Sequence, residues 1–96
     1  MKTTYVSLFT YTDQGVRNLK QSPQRAQVFR QGAEAAGLKV LALLWTVGAY
    51  DGVLILEGDS EGKVLGALAH LASLGNVRTQ SLRAFDADGF AGIVGK

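Results

Sequence analysis

The stretch Trp45-Thr46-Val47-Gly48-Ala49-Tyr50-Asp51-Gly52-Val53 lies near the middle of the chain and decides the fold. Positions 38–45 and 53–56 are rich in apolar residues. Two glycines, a tyrosine and an aspartate lie between these two runs. Glycine and aspartate favour tight reversals, and apolar, β-branched runs on both sides favour strands. The sequence therefore predicts a β-hairpin whose two arms are central strands of one sheet.

Composition limits the class of protein. The 96 residues, 47% of them hydrophobic, are expected to form a single domain spanning 1–96. The net charge of +2 and the scattered lysines and arginines argue against a nucleic-acid partner. The lack of cysteine excludes disulfides, thiolate nucleophiles and Cys-ligated metals. Since no run reaches the length of a signal peptide core or a membrane span, we expect a cytoplasmic protein with no membrane partner.

The first half of the chain predicts one strand and one main helix. Residues 4–11 are β-branched and aromatic, as in a strand. Thr12-Asp13 can cap a short turn near 13–20, and Ser22-Pro23 can start a helix from about 23 to 36, with serine as the cap and proline in the first turn. Gly37 is expected to end this helix in a left-handed conformation.

The second half completes a βαββαβ order. It predicts strands over 38–47, 52–57 and 77–85, and a helix begun by Asp59-Ser60; Asp86 or Asp88 can cap a last short helix. This order is that of an α+β, ferredoxin-like fold, with a four-stranded antiparallel sheet and two helices on one face. The middle strands are apolar on both faces, so one sheet face is left uncovered. That open face predicts a homodimer or higher homo-oligomer, sheet against sheet.

A candidate ligand pocket follows from alternation along the first and fourth strands. If Val6 and Leu8 lie under the helices, the alternate residues lie on the open face. Aromatic walls with a few converging polar groups are typical of small-molecule sites, and Arg83 would anchor a carboxylate or enolate. The alternative, that the polar groups hydrogen-bond across a dimer, stays open. The residues of this face are Tyr5, Ser7, Phe9, Thr79, Ser81 and Arg83.

The hairpin and the single histidine complete the candidates. Tyr50 and Asp51 serve either turn chemistry or as a proton-handling pair at a pocket mouth, and the turn interpretation is favoured because aspartate is common in turns. His70 lies with Lys63, Gly66 and Ala67 on the side of its predicted helix away from the core, so a solvated role is favoured. No metal site and no cofactor are expected. The predicted ligand-binding residues are Ser7, Phe9, Trp45, Tyr50, Asp51, Thr79 and Arg83.

Separated blocks of the sequence resemble the GYD-domain proteins, in the same order and over nearly the whole chain. The blocks are Thr12–Asn18, Ser22-Pro23 with Arg25, Trp45–Asp51, and Ser73–Thr79 running on to Leu82–Phe85. The resemblance implies a ferredoxin-like subunit of the dimeric α/β-barrel superfamily, which holds cofactor-free monooxygenases, muconolactone isomerases, haem enzymes and ligand-sensing domains. Because the GYD family has no settled activity, the resemblance implies the fold and leaves the function open.

Three functions are consistent with these residues. The first is a homodimeric binding module that holds a small, partly apolar metabolite in a sheet-lined cavity. The second is a cofactor-independent oxygenase or isomerase that uses Trp45, Tyr50 and Arg83 on a small aromatic or lactone substrate. The third is a purely structural or assembly role, with no room for a ligand. Whether the chain is an enzyme at all is left open, and cavity volume distinguishes the third function from the others.

Overall fold

A computed structural model describes residues 2–95; Met1 and Lys96, the ends of the predicted domain, lie outside the described residues. The order of elements confirms the predicted α+β, ferredoxin-like fold. The elements are β1 (Thr3–Tyr11), α1 (Asp13–Arg17), a 3₁₀ turn (Leu19–Gln21), α2 (Ser22–Ala35), β2 (Lys39–Trp45), β3 (Gly52–Gly58), α3 (Glu61–Ser73), β4 (Val77–Ala84) and α4 (Ala87–Val94).

The four strands form one sheet in the order β2-β3-β1-β4, and every neighbouring pair is antiparallel. The predicted hairpin is present: β2 and β3 pair directly, and the Thr46 N–H donates to the Asp51 carbonyl at 2.9 Å across the turn. Its first arm, however, is an edge strand, so the prediction that both arms are central is wrong for β2. Only the second arm, β3, is a central strand, because it lies between β2 and β1.

The helix-covered face of the sheet carries the core. Tyr5, Leu54 and Leu56 are buried there against Val64 and Leu68 of α3, and Ala33 and Leu38 complete the cluster from the α2 side. Leu56 and Val64 are fully buried. Burying a side chain of this size is worth about 1.5–3 kcal/mol, so this cluster holds the helices onto the sheet.

The predicted assignment of sheet faces is wrong. Tyr5, Ser7 and Phe9 face the helices and are buried, whereas Val6 and Leu8 lie on the opposite face and are half-buried. Residues paired directly across antiparallel strands share a face. Arg83, Ser81 and Thr79 pair with Tyr5, Ser7 and Phe9, so they also lie on the helix side.

The face assignment failed because β1 carries apolar side chains on both of its faces. Tyr5 and Phe9 on one face are as hydrophobic as Val6 and Leu8 on the other. Alternation fixes which residues share a face but not which face the helices cover. Choosing the wrong face therefore places every side chain of the strand on the wrong side of the sheet. The prediction grouped the correct residues of β1 and β4 together but assigned the group to the wrong face of the sheet.

Side-chain caps begin most of the helices where the sequence predicts them. Thr12, Ser60 and Asp86 accept from the backbone N–H groups three residues on, at 3.1, 3.2 and 2.7 Å. The predicted Ser22 cap is wrong. Gln21 occupies the N-cap position, and the Ser22 side chain instead contacts Tyr11.

Two surfaces of the described chain remain apolar and uncovered. The open sheet face, defined here by Val6, Leu8, Leu44, Val53, Ile55 and Leu82, lies opposite α2 and α3. The C-terminal helix α4 has no buried residue, and its Phe90 and Val94 are 55% and 64% exposed. None of the helices in the described part of the chain is long and apolar enough to cross a membrane.

Candidate functional site

A groove of about 940 Å³ runs between α2 and α3 and has the helix-covered face of the sheet as its floor. We call it the interhelical groove. Its floor includes Phe9, Leu43, Trp45 and Leu54, and most of its lining is apolar. The volume lies within the range of about 300–1,000 Å³ usual for small-molecule sites. The fold thus contains a ligand-sized space inside one chain.

Small residues keep the groove open. Gly32 and Ala33 of α2 face Gly66 and Ala67 of α3 across it, and a Cβ atom built on Gly32 or Gly66 meets no atom within 4 Å. Glycine inside a helix lowers its stability by roughly 0.5–1 kcal/mol relative to alanine. These glycines therefore weaken both helices locally and leave empty volume between them.

One end of the groove carries a cluster of hydrogen-bonding groups. The hydroxyl oxygens of Tyr11 and Ser22 are 2.5 Å apart, and the Trp45 indole N–H donates to Tyr11 at 2.8 Å and to Ser22 at 3.2 Å. The Phe9 ring packs edge-on against the Tyr11 ring with centroids 6.0 Å apart. Together, the last residues of β1 and β2 and the first of α2 build a polar end on an apolar groove.

The hydroxyl cluster has one hydrogen that no group inside the cluster accepts. Tyr11 and Ser22 each carry one O–H, and the Trp45 N–H already donates to their oxygens. One hydroxyl donates to the other, and the second hydrogen has no acceptor within the cluster. The cluster is therefore suited to donate to an oxygen of a molecule in the groove.

Charged and titratable side chains on the groove wall are few. Arg25 of α2 and Lys63 and His70 of α3 line it, together with Tyr11, and no carboxylate does so among the described residues. His70 is exposed, as the sequence predicts, but it also borders the groove. No group of three or more potential metal ligands occurs in residues 2–95.

The structure places only part of the predicted ligand-binding set at this groove. Phe9 and Trp45 line it. Ser7 is buried on the same sheet face, but its hydroxyl lies 2.7 Å from that of Ser81, on the neighbouring strand. Thr79 pairs with Phe9 in the sheet and is not part of the groove lining. A ligand role for Ser7 and Thr79 stays a prediction.

Tyr50 and Asp51 form structural contacts in the hairpin. The Asp51 N–H donates to the Phe9 carbonyl at 2.8 Å, and its carboxylate accepts from the Tyr11 N–H at 2.8 Å. The Asp51 side chain thereby supplies the acceptor that a further residue of β3 would offer to β1. The Tyr50 hydroxyl donates to the Gln80 side chain at 2.7 Å. These contacts hold the polar end of the groove in place from outside it.

Arg83 belongs to a separate cluster at the C-terminal end of β4. It donates to the carbonyls of Ala84 at 2.8 Å and Thr4 at 3.4 Å, and its guanidinium lies 4.5 Å from the centre of the Phe85 ring. The Tyr5 hydroxyl nearby donates to Glu61 at 2.6 Å. That hydrogen bond, together with burial, raises the pKa of Tyr5 above its usual value of 10.0. Arg83 lies in this separate cluster and Tyr50 lies in the hairpin, whereas Trp45 lines the groove. The three residues predicted for an enzyme therefore do not surround one space.

Several groove residues were not predicted from the sequence. Tyr11 and Arg25 were not among the predicted ligand-binding residues, and Ser22 was assigned to a helix cap. The helix-spaced set Lys63, Gly66, Ala67 and His70, predicted to lie on the face away from the core, is one wall of the groove. The small residues Gly66 and Ala67 in the middle of that set were the available signal, since a merely solvated helix face rarely needs glycine.

The fold and the groove define a small α+β protein with a ferredoxin-like sheet and a ligand-sized space beneath its two main helices. The chain belongs to the GYD domain family, whose profile matches residues 5–94 and confirms the resemblance seen in the sequence. A protein of Thermus thermophilus, named glutamine synthetase and cystathionine beta-lyase binding protein, is similar. It is 37% identical over 82 residues, which cover 84% of this chain and 86% of that protein. No solved structure matches the chain significantly.

Proposed function

We propose that this protein is a binding module that holds a small, largely apolar molecule in the interhelical groove. The observation that carries the proposal is the groove itself, about 940 Å³ of mostly apolar lining with hydrogen-bond donors gathered at one end. Filling an apolar groove removes ligand and protein surface from water at about 25 cal/mol per Å². The polar end would then orient the molecule.

The test uses Trp45, which is the single tryptophan of the chain and lies on the groove floor. Its side chain is about half exposed, so a bound apolar molecule should shift its emission to shorter wavelength. The probe is 1-octanol, titrated into the wild type and two glycine variants. Gly66→Leu fills the groove, whereas Gly62→Leu adds the same side chain on the same helix away from the lining.

We expect a saturable shift in the wild type and in Gly62→Leu, and none in Gly66→Leu. Both variants should fold, because Cβ atoms at Gly66 and Gly62 meet at most an ordinary contact. An identical shift in Gly66→Leu would show that octanol binds elsewhere and would refute the groove as the site.

We also propose that the chain forms a homodimer through the open sheet face, and that it acts in the cytoplasm. Leu44 is 58% exposed and Leu82 is 49% exposed on this face, and half-buried side chains such as Ile55 lie between them. Surfaces of this kind mark interfaces. Sedimentation should give twice the 10.2 kDa chain mass, and Ile55→Asp should abolish the dimer or unfold the chain. A well-folded wild-type monomer at micromolar concentration would refute this proposal.

A second candidate function is binding to metabolic enzymes. The similar Thermus protein is named for binding glutamine synthetase and cystathionine beta-lyase, and α4 presents an uncovered apolar surface that suits a protein partner. Calorimetry with each purified enzyme tests it. Phe90→Asp should abolish binding, whereas Val16→Asp, an equally exposed apolar residue on α1, should not. No heat of binding with either wild-type mixture would exclude these two enzymes.

A further inference from the structure

The charges that border the interhelical groove are unbalanced. Lys63, at one rim, lies 3.5 Å from the carboxylate of Asp59 in an exposed ion pair. Arg25 lines the groove at its other end and forms no ion pair with any described residue. Because no carboxylate lines the groove within residues 2–95, this end is positively charged.

The unmet hydrogen-bonding capacity near Arg25 consists of donors. Its Nη1 group donates to the Asn18 carbonyl at 2.9 Å, while the buried Nη2 group has no acceptor among the described residues. The hydroxyl pair of Tyr11 and Ser22 has one further O–H to donate. A buried donor without an acceptor destabilises the folded chain, so an incoming acceptor is favoured there.

These donors lie at the same end of the groove. Ser22 and Arg25 are three residues apart on α2, so their side chains lie on neighbouring positions of one helix face. The Asn76 carbonyl, just after α3, accepts from the Thr12 N–H at 3.1 Å and brings the end of α3 beside the end of β1. The opposite end of the groove is lined by apolar residues such as Ala33, Leu38 and Leu54, with Lys63 at its rim.

We infer that the groove takes an amphipathic carboxylate whose head group lies at the Arg25 end and whose apolar body lies along the floor toward Leu38. The carboxylate accepts from the spare hydroxyl of the Tyr11–Ser22 pair and, after a small rotation of its side chain, from the Arg25 guanidinium. A neutral alcohol fills the same apolar space but leaves the guanidinium charge unpaired. This inference rests on the proposed function and adds the chemical class and orientation of the ligand.

The experiment compares three probes of equal chain length, octanoate, 1-octanol and octylammonium, by the emission of Trp45. We expect octanoate to bind the wild type about tenfold more tightly than 1-octanol, because a charged hydrogen-bond pair is gained. Octylammonium should bind more weakly than either. The substitution Arg25→Gln should remove the preference for octanoate, so that octanoate and 1-octanol bind this variant with similar dissociation constants.

Arg30→Gln is the matched control, since Arg30 lies on the same helix, donates to the Val40 carbonyl at 3.3 Å and is outside the groove lining. It should keep the preference for octanoate. Equal binding of octanoate and 1-octanol by the wild type, or an unchanged preference in Arg25→Gln, would overturn the inference and leave the proposed function intact. Binding of none of the three probes would overturn both. The comparison of probes on the wild type does not depend on how any variant folds.

Discussion

The Asp51 side chain closes the sheet at the polar end of the groove, and its replacement is the sharpest test of this role. Its carboxylate is 2.8 Å from the Tyr11 N–H, the last backbone donor of β1. In Asp51→Ala this half-buried donor loses its acceptor, which costs about 1–3 kcal/mol. For a domain of this size, that loss lowers the melting temperature by roughly 5–20 °C.

Asp51→Asn should lose much less, because the amide oxygen can still accept from Tyr11. The control is Asp59→Ala, which breaks only the exposed contact with Lys63 and should cost about 0.3–0.5 kcal/mol. Urea unfolding followed by circular dichroism at one protein concentration measures all three. If Asp51→Ala is as stable as Asp59→Ala, the hairpin aspartate is not a structural acceptor. If it also loses octanol binding at full stability, its role is in the site itself.

Two further predictions concern single residues. Gly66→Ala should raise the free energy of unfolding by about 0.5–1 kcal/mol, because the added Cβ atom meets no other atom. Gly52→Ala should lower the free energy of unfolding by about 1–3 kcal/mol, because its Cβ atom would overlap the Phe9 ring. Urea titrations of both variants check these opposite signs. Tyr5 should ionise above pH 10.0, and the stability from its bond to Glu61 should be complete below that pH and lost as the pH rises through the folded-state pKa. A pH titration followed by tyrosinate absorbance should show this high-pH ionisation in the wild type and not in Tyr5→Phe. An unchanged titration in that variant would refute the assignment of the ionisation to Tyr5.

Local signals in the sequence were enough to predict the order of elements and several of their ends. Thr12, Ser60 and Asp86 each precede a helix and cap it, because an N-cap needs only a short polar side chain at the right place. The residues that share a face of β1 and β4 were also predicted, since alternation is a property of each strand.

The covered face and the groove could not be predicted in the same way. Tyr5 and Phe9 compete with Val6 and Leu8 for the core, and the arrangement of α2 and α3 over the sheet decides between them. The groove depends on small residues in two helices that are distant in sequence, and their juxtaposition arises only in the folded chain. Its donors come from the end of β1 and the start of α2, where local patterns predict only a turn and a cap.

The central claim is that a small apolar molecule binds between α2 and α3 rather than on the open sheet face. Intermolecular nuclear Overhauser effects between octanoate or 1-octanol and assigned methyl groups test it most directly. The account predicts contacts to the methyls of Ala33, Leu43 and Ala67, which line the groove. Contacts confined to Leu8 and Ile55, on the open sheet face, would contradict it.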